Sequence, residues 1–584
     1  MKMQTLSSSY IIFPVSFLVL FQLFVACISV TPIGFLPNIF ISIIASATVS
    51  RSITNTFKTD IHFKTIELSI VVILSAVSTY LFVLSLNREI FDFTCATGLL
   101  GSVTQVTEGR FPVSYLSFPD IPMNYHQSTI LMVGIFVSVL KIPVAAALKI
   151  FLATLFFFLN IVVSFLFLQK RNGFYFLPIL LFIAVASISG NLYSFLGLGA
   201  MPSVSVFRFS NSNSWPLALL LITTLLFTLF RFNNSKKHIF LVGLLILSMA
   251  TINAVAFQFL ILGLFLSLVV YYFYKWRTGT LHEIQHPATT FTTLTLITLI
   301  PKFIPSAFAI GTLYASPEIE IRFLAFTFSA YIKDILQYIT LTGFLPTLTL
   351  IICAPAILKR AHPIKTALYT LLVVSFFFPF VFSFNDLYEW HALHKIAVFC
   401  LFISILLITD ELHSSKKKRL ISGIAIMLAA LTSTQSIYIH THELVSMDFN
   451  SFNYPDPGIK DVVTHLSSHR TTLIPYKIKY RHENIFCDMT RYAQIAQYSG
   501  NFLRDAYDTT FLLDPELETQ YEKDASWNNF AEKSARVRTE LDAGATLIVD
   551  KSLLTPESRK ELENHIPGTP MEFSEYILYR TKPW

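Results

Sequence analysis

Four stretches of the chain bring together side chains able to act on a substrate. Asn87-Arg88-Glu89-Ile90-Phe91-Asp92 sets two carboxylates three residues apart. On a helical turn they share one face, where they can hold a cation together or take up a proton. Paired off by Arg88, the same two would instead form an interfacial cap. The segment that follows closes with Phe118-Pro119-Asp120-Ile121-Pro122-Met123-Asn124-Tyr125-His126, in which Asp120 and His126 are either site residues or turn chemistry ahead of a helix. A third stretch, Asn385 to Lys395, carries Tyr388, Trp390, His391, His394 and Lys395 into an apolar run. A lysine at that depth is costly unless it snorkels to the surface, with Trp390 and Tyr388 as neighbouring anchors, or meets an anion such as phosphate. Arg208 and Arg322 are further phosphate candidates. The fourth stretch, His282-Glu283-Ile284-Gln285-His286, has the spacing of a helical zinc pair with a general base between its ligands. Thr278-Gly279-Thr280 before it and Pro287 after it leave barely one helical turn, and no third ligand is evident, so the zinc-protease reading is set aside.

The elements that must position these residues are membrane helices. Apolar residues make up 53% of the 584-residue chain and charged residues only 14%, with a mean hydropathy of +0.59. A water-soluble protein could not hide that much apolar surface. Segments long enough to cross a bilayer lie near 11–30, 34–50, 66–86, 144–168, 174–194, 215–231, 238–254, 256–275, 291–313, 338–358, 364–383, 394–411 and 419–438. That makes about thirteen crossings, the first an uncleaved helix rather than a signal peptide. Lys302, between Pro301 and Pro305, is either the charged midplane residue of a transport path or a helix kink with a snorkelling amine.

Basic residues at Arg51 to Lys64, Lys170-Arg171, Arg231 to His238, Lys275 to Arg277, Lys359 to Lys365 and Lys416 to Arg419 fall on one face if the amino terminus is cytoplasmic. The net charge of +7 is therefore a matter of topology, not of nucleic-acid binding. The other face receives the long connections 87–127, 197–214, 314–337 and 384–393 and the tail, and these are where function belongs. Ser128 to Leu140 reads as a helix on or dipping into that outer surface.

The fold class expected is an α-helical polytopic membrane protein, residues 1–438, followed by a small extracytoplasmic α/β domain, residues 439–584. In the tail, helices are expected around 458–467, 524–541 and 555–564, and strands at Thr471 to Ile478, Ala545 to Val549 and Glu575 to Tyr579. It has no Gly-rich phosphate loop and no nucleophile elbow, and Asp488, Asp505 and Asp508 read as solvated surface. Five scattered cysteines without a CxxC pair indicate no disulfide framework.

An acidic residue past a transmembrane helix, then Gly109-Arg110-Phe111-Pro112, then a proline-flanked Tyr125-His126 opening a surface helix resembles the GT-C class of membrane glycosyltransferases. The overall plan is similar too: an N-inside bundle, a large first outer loop and a C-terminal outer domain. The resemblance implies an inverting transferase that takes a sugar from a polyprenyl-phosphate lipid and passes it to a glycan, lipid or protein acceptor at the outer face of a cell membrane of the bacterial inner-membrane kind. It implies Asp92 as the catalytic carboxylate, with Glu89 and Asp120 in support. Lys395, His391, His394 and Arg208 would hold donor phosphate, and Tyr125 and His126 would position the acceptor or the loop. No cofactor is certain. A divalent cation, Mg or Mn, would be held by Asp92 and Glu89, yet Phe93-Thr94-Cys95-Ala96-Thr97 lacks the second acidic or histidine residue of the family pattern. Two alternatives stay open: a multi-pass transporter or flippase, for which no internal repeat is found, and a noncatalytic scaffold of cell-surface assembly.

Overall fold

The computed structural model describes residues 3–29, 31–96, 128–142, 144–184, 214–229, 235–280, 287–303, 327–341, 345–359, 363–383, 386–412, 471–474, 502–505, 541–551, 556–565 and 570–580, with shorter pieces within 103–122 and at 231, 320–321, 423 and 461–466. It divides into two compact units. The first holds Met1–Leu86, Lys149–Ile310 and Pro317–Met447, and the second holds Asn87–Leu148, Gly311–Ser316 and Asp448–Trp584.

The protein is a helical membrane protein. Its first unit opens with strand β1 (Met3–Ser7) and helices α1 (Ser9–Ser29) and α2 (Phe35–Phe57), then strand β2 (Asp60–Lys64) and helix α3 (Thr65–Ala96). Among the described residues, five helices are long and apolar enough to cross a membrane: Ser9–Ser29, Phe35–Phe57, Thr65–Val83, Ala146–Gln169 and Ala256–Arg277.

Helix α2 shows why the surrounding solvent is lipid. Its buried face repeats a small or polar residue every fourth position, Asn38, Ser42, Ser46, Ser50 and Thr54. Its outer face carries Leu36, Phe40 and Ile44, 78%, 65% and 53% exposed. A helix in water buries its apolar stripe; this one buries its polar stripe, as helices do when the medium is as apolar as leucine. The small side chains let the backbones of α1 and α2 approach closely, and Asn38 Nδ2 bridges them by donating to the Val25 carbonyl (3.1 Å).

Next in chain order come α4 (Ser128–Leu140), which belongs to the second unit, and then α5 (Val144–Gln169), α6 (Leu177–Ala184), α7 (Trp215–Leu229), α8 (Lys236–Ile252), α9 (Ala254–Arg277) and α10 (Pro287–Phe303). Asn253 separates α8 from α9: its Oδ1 caps Ala256 N (2.9 Å) while its Nδ2 donates to Ser214 Oγ at the head of α7 (3.0 Å). Helix α4 has the expected bounds and stops where Lys141 takes a left-handed φ of 55°. Gly134 permits its close approach to Val106, because a Cβ there would lie 2.5 Å from the valine side chain.

The last helices of the first unit are α11 (Phe328–Leu341), α12 (Leu345–Lys359), α13 (Pro363–Val381) and α14 (Asp386–Leu412). One span was expected at 338–358, and two helices stand there instead, the first starting inside the expected outer loop. Pro346, one residue into α12, has no amide to continue an i→i−4 ladder, and Gly343 lies just before it. Both helices run antiparallel to α13: the Tyr331 hydroxyl donates to the Phe380 carbonyl (3.1 Å), and the Tyr369 hydroxyl donates to the Leu350 carbonyl (3.3 Å).

The ends of the first unit sort by charge. At one end β1 pairs antiparallel with β2, Gln169 Nε2 donates to Thr59 Oγ1 (2.8 Å), and the His238 ring lies 4.7 Å from that of Phe57. Thr370 Oγ1 of α13 donates to the Gly263 carbonyl of α9 (3.1 Å), and Phe259 meets Phe378, so these helices are antiparallel and Lys275 and Arg277 sit beside the start of α13. Five of the basic loops thus share one end. At the other, β5 (Glu320–Ile321) pairs with β6 (Phe382–Ser383).

In the second unit, β3 (Ser114–Tyr115) pairs with β4 (Phe118–Pro122). A five-stranded sheet is built from β7 (Thr471–Ile474), β8 (Phe502–Asp505), β9 (Thr546–Asp550), β10 (Met571–Glu572) and β11 (Tyr576–Tyr579), in the order β10-β11-β9-β7-β8. Strands β7, β8 and β9 are parallel, and β10 and β11 are antiparallel additions. Leu547, Ile548, Ile577 and Leu578 are fully buried, in keeping with strands that read as unbroken apolar runs. Helix α15 (Pro556–His565) is tied to β10 by Arg559, which pairs with Glu572 as well as Glu563. No disulfide joins Cys27, Cys353 or Cys400. The expected helices at 419–438 and over most of 458–467 and 524–541 lie outside the described residues.

Ser46→Leu forces a large side chain into the α1–α2 seam and is expected to cost about 1–3 kcal/mol, whereas Ile44→Ala on the outer face leaves stability nearly unchanged. Thermal unfolding in detergent separates the two. Hydrogen bonds from Arg559 and then Lys551 hold the Glu572 carboxyl below its ordinary value of 4.5. That contribution is therefore fully present above pH 4.5 and lost as the pH falls through the lowered value. It is small, because the pair is exposed and screened by salt. Urea unfolding at stepped pH, followed by a fluorophore at Ser574, should show an acid limb that Glu572→Gln flattens.

Candidate active site

Helix α3 does not stop at the end of its apolar run. Asn87 to Phe93 contains no glycine or proline, so nothing breaks the ladder, and the helix continues to Ala96, with Gly98 soon after in sequence. Glu89 and Asp92, expected on a loop just past the membrane, are instead in the last turns of this helix, one turn apart on one face. Counted from Leu86, Asp92 is about 9 Å farther along the helix axis.

Asp120 lies at the centre of β4, in the same unit as Asp92. Strand β4 packs against β8, so this part of the first long connection and the C-terminal sheet are built together. Tyr125 and His126 lie outside the described residues, as do Arg208, Arg322, Asp488, Asp508 and the whole of His282 to His286.

The third group changes character in the structure. His391 was expected on a loop, with His394 and Lys395 at the mouth of the span that follows; helix α14 already begins at Asp386, so all three lie within it. Spacings of three and four residues put them on one stripe of that helix. The stripe belongs to the first unit, and the carboxylates belong to the second. Among the described residues no three His, Cys, Asp or Glu side chains gather as metal ligands.

One constellation was missed from sequence. Asp410 accepts from Lys170 Nζ (3.0 Å) and Lys365 Nζ (2.9 Å), and Lys365 also meets Glu411 Oε1 (2.9 Å). Asp410 is 13% exposed and Glu411 2%. Asn172 Nδ2 adds a bond to the Thr409 carbonyl (3.1 Å). Two lysines and two carboxylates, balanced in charge, thereby join the end of α5, the start of α13 and the end of α14. The signal was an acidic pair, Asp410-Glu411, closing an apolar helix on a face otherwise marked by lysine and arginine. Each charge is matched by a partner, which makes the group a structural tie at the basic end.

No protein-family model matches this chain, and no curated protein matches it in sequence.

Asp410→Asn removes the counter-charge of Lys170 and leaves Lys365 with Glu411 alone, and is expected to cost about 3 kcal/mol, as when one partner of a buried pair is removed. Replacing Lys365 and Glu411 together by Met and Leu should cost much less. The difference is read as the melting temperature of the detergent-solubilised protein.

Proposed function

We propose that this protein is a GT-C-type glycosyltransferase, transferring a sugar from a polyprenyl-phosphate donor to an acceptor at the outer face of a cytoplasmic membrane. The observation that carries the reading is the continuity of α3, an apolar span that runs as one helix into the turn bearing Glu89 and Asp92. A carboxylate there faces a lipid-borne substrate at the height of its phosphate, and partial removal from water makes it a stronger base.

In this reading Asp92 takes the proton of the acceptor hydroxyl as its oxygen attacks the anomeric carbon. The bond from that carbon to phosphate breaks with inversion, and polyprenyl phosphate departs. Lys395, with His391 and His394 on the same stripe of α14, meets the charge of the departing phosphate, and Arg208 adds to it. Glu89 and Asp120 support Asp92; Tyr125 and His126 position the acceptor. Two carboxylates on one helix face supply oxygen ligands of the kind Mg or Mn takes alongside a substrate phosphate, and such an ion would neutralise the leaving group. In this reading the chain crosses the membrane about thirteen times with its amino terminus and basic end cytoplasmic, and residues 439–584 stand outside.

The test is release of radiolabelled sugar from a panel of polyprenyl-phosphate sugars by the protein in nanodiscs. Wild-type turnover that Asp92→Asn lowers at least a thousandfold, with the melting temperature kept, supports the reading. An equally active variant removes Asp92 from the chemistry. A wild type that consumes no donor returns the transporter and scaffold readings to the front.

A further inference from the structure

The stripe of α2 that faces lipid does not stay apolar along its length. Leu36, Phe40, Ile44, Arg51 and Lys58 follow one another at intervals of four or seven residues. At 3.6 residues per turn that spacing keeps them within about 80° of one another. Leu36, Phe40 and Ile44 are exposed apolar side chains, and Arg51 and Lys58 are exposed as well. Lys58 follows the last helical residue, and its amide still donates to the Thr54 carbonyl (2.9 Å), so the helix itself places it. One face of one helix therefore offers apolar surface first and two cations toward the basic end.

Arg51 is the residue that asks for a partner. Helix α2 is long and apolar enough to cross a membrane from Phe35 to Phe57, and Arg51 stands about 9 Å along the axis before that end. A guanidinium inside a span is costly unless it turns inward, pairs with an acid or snorkels to the surface. Arg51 does not turn inward: the buried stripe beside it is Ser50, Ile53 and Thr54, and its own side chain is exposed. Nor does it pair with an acid. No Asp or Glu occurs in the chain before Asp60, and among the described residues neither Arg51 nor Lys58 meets a carboxylate. Lys170 and Lys365, at the same end, each meet one. What remains for Arg51 is the headgroup layer, which a long side chain reaches by lying along the helix toward Lys58.

The residue types select the headgroup. A guanidinium presents parallel N–H donors that match a phosphate, and the ammonium group adds a second positive charge. A zwitterionic headgroup brings its own cation to a place that already holds two, whereas a headgroup whose one charge is its phosphate neutralises them. Cations beside the end of a span attract such anionic lipids. Above Arg51 the exposed stripe is apolar at Ile44, so acyl chains attached to that phosphate meet a surface as apolar as themselves.

We propose that the lipid-facing stripe of α2 is a binding surface for an anionic phospholipid of the leaflet at the basic end, with the phosphate held by Arg51 and Lys58 and the acyl chains along Ile44. The inference stands on helix periodicity, exposure and missing counter-charge, and is independent of the transferase reading.

The experiment takes the full chain, delipidated in detergent, and reads lipid binding by native mass spectrometry with phosphatidylglycerol or phosphatidylcholine of the same acyl chains. Wild type should hold one phosphatidylglycerol at least tenfold more tightly than phosphatidylcholine. Arg51→Gln and Lys58→Gln should each weaken that binding threefold or more, and the two together should bring it down to the phosphatidylcholine level. Lys237→Gln with Arg277→Gln, which removes as much charge from exposed residues at the same end, should leave it unchanged. A phosphatidylglycerol with a photoreactive acyl chain should label wild type on α2 between residues 41 and 51, a readout that does not depend on the variants folding. Equal affinity for the two lipids, equal loss in the control pair, labelling confined to other helices, or displacement of the lipid by an equal concentration of inorganic phosphate overturns the inference.

Discussion

Lipid, as solvent, dictates most of what this chain does. A bilayer core gives a backbone no hydrogen-bond partner, so each crossing has to be a helix that satisfies itself. It also removes the usual reason for apolar residues to face inward. What then holds helices together is close contact between small side chains and the few polar groups that lipid will not accept. The seam of α1 and α2 follows from that alone: Asn38, Ser42, Ser46, Ser50 and Thr54 inside, Leu36, Phe40 and Ile44 outside. The same logic sets the terms for charge. Lys170, Lys365, Asp410 and Glu411 stand where helices end, each with a partner of opposite sign.

The two ends of the bundle are unequal for a physical reason. At the basic end short connections are tied down by the β1–β2 hairpin, by Gln169 on Thr59 and by the four-charge cluster. Elements fixed at several points are poor places for a substrate to enter. The long connection 87–127 and the tail belong instead to a unit of their own. That unit forms strands, a two-stranded pair and a five-stranded sheet, where the first unit is mostly helix.

How much of this was legible beforehand depends on which force decides each feature. Hydrophobic length decides spans, and the helices from α1 through α10 and α13 and α14 fall where apolar runs were marked. Helix α4 begins and ends at Ser128 and Leu140 as expected, and β9 and β11 lie within one residue of the expected strands. The reading failed where local chemistry competes with hydropathy. Helix α3 outlasts its apolar run because Asn87 to Phe93 holds no breaker, and hydropathy does not report on a polar helix. Pro346 interrupts a run whose hydropathy gives no sign of it. The Asp410 cluster and the packing of β4 on β8 join residues far apart in sequence, and one chain read alone carries no trace of such contacts. Of the candidate site, Glu89 with Asp92 and His391 with His394 and Lys395 were grouped as sequence neighbours. That both groups are helical emerged only with the fold.

The helical setting of those groups changes what each can be. A loop carboxylate must be positioned by its neighbours, and its orientation is set by contacts that can differ from one state to another. On α3 the positions of Glu89 and Asp92 are set by a helical backbone ladder. A catalytic group gains from that arrangement, because geometry held by a rigid element need not be recovered when substrate binds. An interfacial cap gains nothing from it, since a cap works as well from a frayed end. The spacing also limits the pair: on one face, one turn apart, the two carboxylates can act on a single ion or a single proton, but not on opposite sides of a sugar ring. If Asp92 is the base, Glu89 must tune or position it, and a partner across the ring has to come from another element. Within its own unit, β4 with Asp120 is the described strand that joins the first connection to the C-terminal sheet.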